Sequence, residues 1–268
     1  MMHFGVKGYC ALMFAKDTPF GVRNPYSYCY FDKSGKGVVK DFANNFKQQF
    51  EDTKSLGYIG IPTGNHDFQR MNIGSRNTVD QLKVAMTFFL TMPGVPFIYY
   101  GDEIGMKFQM GLPSKEGSDD RSGCRTPMQW TDGPTAGFST CDPKSLYLPV
   151  DTECGLLTVA NQEKDRNSLL NYTRNLVALR HATPALNNTG EWENMSNLDK
   201  PYPWVYQRMA GNERYLVVIN PSAKTVSAKI NELMGLAATK IAGVGTVSFK
   251  DGVVKASGVS AAVLRIRQ

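Results

Sequence analysis

The chain has 268 residues, 42% of them hydrophobic and 20% charged, and its 30 Lys plus Arg against 24 Asp plus Glu give a net charge of +6. These proportions belong to a folded globular chain and exclude a disordered or collagen-like one, and the length fits one large α/β domain or a medium domain with a small one. No run approaches the roughly 18 consecutive apolar residues of a membrane span, so membrane insertion is not expected.

The opening Met1-Met2-His3-Phe4-Gly5-Val6-Lys7-Gly8 lacks a charged segment followed by an apolar one. A signal peptide is therefore not expected and the cytoplasm is the expected location, with export of a longer parent as the alternative. Cys10, Cys29, Cys124, Cys141 and Cys154 are odd in number and form no Cys-x-x-Cys pair, which argues against a disulfide framework or a metal site. The basic residues are scattered singly, and the densest stretch (Lys33, Lys36, Lys40, Lys47) lies among acidic and amide neighbours. Nucleic acid is not an expected partner.

In chain order, Tyr9–Phe14 (YCALMF) reads as a first buried strand, followed by a Pro/Gly/Tyr-rich loop to Gly37. Val38, Val39, Phe42, Phe46 and Phe50 recur at steps of three and four, a single apolar helical stripe that ends at Gly57. Tyr58–Pro62 is a second buried strand. Thr78–Met92 is an amphipathic helix with Val79, Leu82, Met86, Phe89 and Leu90 inward, capped at Asn77 or Thr78 and stopped by Pro93-Gly94. Val95–Tyr100 is a third buried strand, and 101–165 is loop-rich, a length that usually carries function. Ser168–His181 is a last helix. Beyond Pro184, Tyr202–Arg208, Arg214–Asn220, Thr225–Ile230, Thr246–Phe249 and Ala261–Ile266 are short alternating segments of an antiparallel β-domain.

Three buried strands separated by helices imply parallel βα units. They are too few to close an eight-stranded barrel. The pattern alone leaves two readings, a small open α/β sheet or the tail of a larger barrel.

The second strand runs into Gly64-Asn65-His66-Asp67-Phe68-Gln69-Arg70, an amide, an imidazole, a carboxylate and a guanidinium at the carboxyl end of a parallel strand, where α/β proteins place their sites. A carboxylate beside an imidazole can stabilise positive charge or bind sugar hydroxyls; the structural alternative is a loop cap. The third strand runs into Asp102-Glu103. Adjacent residues point apart, and Gly101 and Gly105 flank them, so a turn-holding role is the stronger reading. The long loop carries Asp119-Asp120-Arg121-Ser122-Gly123-Cys124-Arg125-Thr126-Pro127-Met128-Gln129-Trp130, whose fork donors suit hydroxylated ligands. The alternatives are a salt bridge between loops for Arg121 and buried packing for Trp130.

GNHDFQR, PGVPFIYYGDEIGM and DDRSGCRTPMQW, in this order, resemble the α-amylase family of glycoside hydrolases, and within it the branch of α-glucosidases, oligo-1,6-glucosidases and trehalose synthases. The resemblance covers nearly the whole chain. It implies an α/β fold, the last three or so βα units of a TIM (β/α)8 barrel followed by a small antiparallel β-domain. Residues 1–184 would hold strands six to eight and the long loop after strand eight, and 185–268 a C-terminal β-sandwich. It implies that Asp67 grips two hydroxyls of the sugar and stabilises the transition state, and that Asn65, His66, Arg125 and Arg70 bind substrate. Asp102 and Glu103 match a mainly architectural motif.

Retaining glycosidases need two further carboxyl groups roughly 5–5.5 Å apart. The family's nucleophile motif, Gly-x-Arg-x-Asp, does not occur here. The resemblance is therefore to the carboxyl-terminal half of a retaining α-glucoside hydrolase, inactive alone. Its expected partners are an α-glucosidic oligosaccharide, the missing amino-terminal half, and a second copy through open barrel edges. No cofactor is expected in this chain, and any calcium site would lie in the missing half. A trehalose synthase-type transglycosylase fragment and a non-catalytic carbohydrate-binding or partner module are the alternatives.

Overall fold

A computed structural model describes residues 3–4, 29–67, 70–117, 121–153, 155 and 157–267. The strand expected at Tyr9–Phe14 lies outside the described residues. Strand β1 is His3–Phe4, and it pairs in parallel with β2, Ile59–Pro62, in the register His3↔Ile59 and Phe4↔Gly60. β2 pairs in parallel with β3, Val95–Phe97, so the order is β1-β2-β3. The central strand is covered on both faces, and Ile59 and Ile61 are buried. β3 is shorter than expected, and its residues are only partly buried because it lies at the sheet's edge.

Helix α1, Lys40–Thr53, buries Phe42, Ala43, Phe46 and Phe50 along one stripe; Val38 precedes it and is exposed. Helix α2, Val79–Thr91, starts at a capping box in which the Thr78 side chain accepts from the Gln81 amide and the Gln81 side chain accepts from the Thr78 amide. The amphipathic expectation for α2 is corrected here. Val79 is exposed, and every residue from Gln81 to Thr91 is buried. Its hydroxyls are buried at little cost because they bond back to the preceding turn, Thr87 Oγ1 to Lys83 O at 2.8 Å and Thr91 Oγ1 to Thr87 O at 2.6 Å. They also meet Tyr172 and Tyr206 hydroxyls at 2.7 and 2.6 Å.

Gly94 ends the helix's connection at φ +101°, and a Cβ there would stand 2.2 Å from Ile59 O. Two buried arginines fill the helix's C-terminal carbonyls. Arg180 donates to Leu90 O, Met92 O and Gly94 O at 3.0, 2.8 and 2.5 Å. Arg208 donates to Thr91 O, and to Asn187 O and Gly190 O at 2.7 and 3.1 Å.

The loop-rich stretch contains one α-helix that the sequence pattern does not reveal, α3, Val159–Lys164. Helix α4, Leu169–Ala182, follows, with Ser168 as its cap. Eight further strands then form two sheets. β4 (Glu191–Asn194), β5 (Trp204–Ala210), β6 (Glu213–Asn220), β11 (Ser260–Arg267) and β8 (Ala237–Val244) run antiparallel in that spatial order; β7 (Val226–Lys229), β10 (Val253–Ala256) and β9 (Val247–Lys250) form the other. The expected alternation is present, but both faces of β5 are covered. Val205, with Leu216, Val218 and Val254, packs between the sheets. Trp204 and Tyr206 turn to the helices, and the Trp204 ring lies 5.9 Å from Phe42 and 5.8 Å from Phe88. One hydrophobic core thus runs from the parallel sheet through α1 and α2 to the five-stranded sheet.

Candidate active site

The site grows from the carboxyl end of β2. Asn65 Oδ1 accepts from the Asp67 amide at 2.7 Å, a turn that sends the Asp67 carboxylate toward solvent. The 121–130 loop closes over it. Arg121 Nη1 donates to Asp67 Oδ1 at 2.7 Å and Arg125 Nη2 to the same oxygen at 3.2 Å, while His66 Nε2 stands 3.3 Å from Oδ2. Arg125 Nε also donates to His66 O at 2.8 Å, tying the side chain of one loop to the backbone of the other.

Asp67 remains one-third exposed. Partial burial raises its pKa, but the Arg121 hydrogen bond and the charges of His66, Arg121 and Arg125 outweigh that and hold the carboxyl below the usual aspartate range. It is a stable anion ringed by donors, at the mouth of a parallel sheet. Such a carboxylate can accept hydroxyls or face a cation, and it is a poor proton donor at neutral pH.

Asn65, His66, Asp67 and Arg125 therefore meet in one cluster. Arg70 does not. It is wholly buried, with Nη1 on Tyr100 O at 2.6 Å and Asp102 Oδ1 at 3.3 Å, Nη2 on Cys124 O at 3.1 Å, and the Tyr99 and Tyr100 rings 5.0 and 4.8 Å from its guanidinium carbon. The expectation that Arg70 touches substrate is corrected: it braces the strand end and the long loop from behind. Asp102 shares that role, accepting from Thr63 Oγ1 at 2.6 Å, and burial raises its pKa more than Arg70 lowers it. Gly101 and Gly105, both at positive φ, bracket the turn, as the sequence suggests.

Arg121, for which the sequence offers a fork donor to a hydroxylated ligand or a salt bridge between loops, forms such a bridge, to Asp67, and so joins the site. Its signal was the four-residue spacing from Arg125 across a short turn, Arg121–Cys124. Tyr100 OH donates to Thr126 O at 2.8 Å and fixes the loop on the strand end. Trp130 is half-exposed, not packed inside. Among the described residues no group of three or more His, Cys, Asp or Glu side chains stands ready to hold a metal ion, and no described helix is long and apolar enough to cross a membrane.

The family model of the α-amylase catalytic domain matches residues 27–189. The chain belongs to the α-amylase family. Curated members similar to it include the trehalose synthase/amylase TreS of Mycobacterium tuberculosis, 41% identical over 41% of this chain and 18% of that protein. The oligo-1,6-glucosidase of Parageobacillus thermoglucosidasius is 28% identical over 70% of this chain and 38% of its own length. Among solved structures, trehalulose synthase from Pseudomonas mesoacidophila MX-45 superimposes with a TM-score of 0.73 at 23% identity, over 86% of this chain and 47% of that one. Such a likeness supports the fold, that of the family's TIM barrel with a β-sheet region at the carboxyl end. The chain spans half or less of the length of these relatives.

Proposed function

We propose that this α-amylase-family chain is the carboxyl-terminal half of a retaining α-glucoside-processing enzyme, with β1, β2 and β3 as strands six to eight of its barrel. Residues 1–184 are the barrel part and 185–268 the β-domain. The observation that carries the reading is the Asp67 carboxylate, held as an anion between Arg121, Arg125 and His66 at the carboxyl end of β2.

In this reading the −1 glucosyl ring lies on Asp67, which accepts two of its hydroxyls and stabilises the positive charge that develops at C1 as the glycosidic bond breaks. Arg125 and His66 orient the carboxylate and donate to neighbouring hydroxyls, and Asn65 holds the turn. The nucleophile and the acid/base are assigned to polypeptide outside this chain, because no Gly-x-Arg-x-Asp segment occurs in it. General acid catalysis alone contributes about 10²–10⁴-fold, and the covalent route adds more. The chain by itself then turns over no substrate. Release of nitrophenol from a chromogenic α-glucoside above a buffer blank, abolished in Asp67→Ala, would contradict this.

A second reading is favoured by the 41% identity to the trehalose synthase/amylase, higher than to the oligo-1,6-glucosidase. The intact enzyme would then pass the glucosyl group to a sugar hydroxyl rather than to water. Product analysis of the completed enzyme on maltose separates the two: trehalose for transfer, glucose alone for hydrolysis.

A further inference from the structure

Tyr99 and Tyr100 follow β3 and turn their hydroxyls to the long loop, on either side of Arg125. Tyr99 OH donates to Cys124 O at 3.1 Å and Tyr100 OH to Thr126 O at 2.8 Å. Those carbonyls belong to the residues just before and just after Arg125. The Arg125 amide also donates to Ser122 O at 3.0 Å, and Pro127 restricts the backbone of Thr126. The Arg125 main chain is thus tied down on both sides.

This clamp is keyed to the strand that carries Asp67. The Tyr99 amide donates to Thr63 Oγ1 at 3.0 Å, and the Thr63 amide to Phe97 O at 2.9 Å. Thr63 stands between β2 and the Asn65-His66-Asp67 turn. The two tyrosine rings are 4.7 Å apart, the Arg70 guanidinium carbon lies 5.0 and 4.8 Å from them, and Arg70 Nη2 shares Cys124 O with Tyr99. Burial raises both phenol pKa values, so the hydroxyls remain donors across neutral pH. A closed circuit results. It runs from Thr63 through Tyr99 to Cys124, along the chain to Arg125, and from the Arg125 guanidinium back to His66 O and Asp67 Oδ1 at 2.8 and 3.2 Å.

We propose that the Tyr99 and Tyr100 hydroxyls are positioning groups for the sugar-binding carboxylate: by fixing the main chain around Arg125 they aim its guanidinium at Asp67. Arg125 is then ordered before a ligand arrives, and binding need not order it. The inference rests on the functional reading above and adds to it two residues that act through Arg125. The two hydroxyls differ in weight. Loss of Tyr99 OH leaves Cys124 O with Arg70, whereas loss of Tyr100 OH takes away the donor to Thr126 O, in a residue only 1% exposed. Tyr100→Phe therefore has the larger effect.

The test compares Tyr99→Phe and Tyr100→Phe with the parent chain, by carboxyl-carbon NMR titration of Asp67 and by acarbose calorimetry. Burial raises the Asp67 pKa, and the Arg121 hydrogen bond with the charges of His66, Arg121 and Arg125 lowers it by more, so a slackened Arg125 lets it rise. The Asp67 midpoint should rise, more in Tyr100→Phe, and the acarbose dissociation constant should rise about three- to tenfold, as for one lost hydrogen bond. With Arg125→Gln in place, which raises the midpoint by itself, Tyr100→Phe should move it no further. A clamp that only holds the fold would lower urea midpoints and leave the Asp67 titration where it was. The proposal is overturned by an unmoved Asp67 midpoint in both single variants, or by a Tyr100→Phe shift of the same size with Arg125→Gln in place. Acarbose binding that survives Asp67→Ala unchanged overturns the functional reading instead, and the NMR titration still decides the clamp.

Discussion

Replacing Arg208 by Met tests whether buried guanidiniums hold the seam between α2 and the β-sheet. The Arg208 side chain is fully buried and donates to five main-chain carbonyls, those of Thr91, Leu186, Asn187, Gly190 and Glu191. Burial lowers its pKa to about 9, so it stays charged at pH 7 with its hydration lost. Met matches the length of the stem and recovers that lost hydration, but leaves the carbonyls bare. Orphaned buried acceptors cost about 1–3 kcal/mol each, and relief of the buried charge returns several kcal/mol. The net loss expected is about 3–5 kcal/mol, a large part of the roughly 5–15 kcal/mol that holds a typical domain. Urea unfolding followed by tryptophan fluorescence reads it directly, since Trp192 and Trp204 lie in the same core. The midpoint should fall with the slope unchanged. A loss below about 1 kcal/mol would refute the claim that these bonds outweigh the buried charge.

Alkaline pH should destabilise the fold, because burial pushes Tyr172 up to about 12 and Cys29 up to about 11, and raises Tyr30, Tyr202 and Tyr206 further. The unfolded chain releases these protons first, so stability is intact below about pH 9 and falls above it; urea midpoints from pH 8 to 11 read the slope, which Tyr172→Phe should flatten. Asp67 is the opposite case, an acid with a lowered pKa, so its ion pairs persist above its unfolded pKa and are lost as pH falls through the folded one. Carboxyl-carbon NMR titration should place its pKa below the ordinary 3.8, and Arg121→Gln should raise it; an unmoved value would remove Arg121 from the site. Gly94→Ala should cost at least about 2 kcal/mol in the same urea assay, since it combines a left-handed φ with a Cβ against Ile59 O.

The helices were legible because their information is local. The Phe42-Phe46-Phe50 stripe and the Thr78–Gln81 capping box act within a turn or two of the chain. Covering by other elements is not local, and that is where the reading fell short. Nothing in Val79–Thr91 shows that its Thr and Lys side chains will be enclosed by α4 and the five-stranded sheet. Nothing in Val95–Phe97 shows that it will stand at the edge of the sheet that the described residues form. β4, β8 and β10 escaped notice because EWEN, AATKIAGV and VVKA are short or rich in weak strand formers. In the candidate site, the motif order brought Asn65, His66, Asp67 and Arg125 to one place, and Arg121 makes the salt bridge between loops that the sequence offered as one of its two readings, but Arg70 turns inward. Which guanidinium turns inward depends on the Asp102 turn and the long loop, elements far apart along the chain.

The most direct measurement is a calorimetric titration of the chain with acarbose, set beside Asp67→Ala. Saturable binding that weakens by at least about tenfold in the variant is the expected result, as loss of charge-assisted hydrogen bonds to sugar hydroxyls requires. Equal affinity in both proteins would place the sugar elsewhere and contradict the assignment of Asp67.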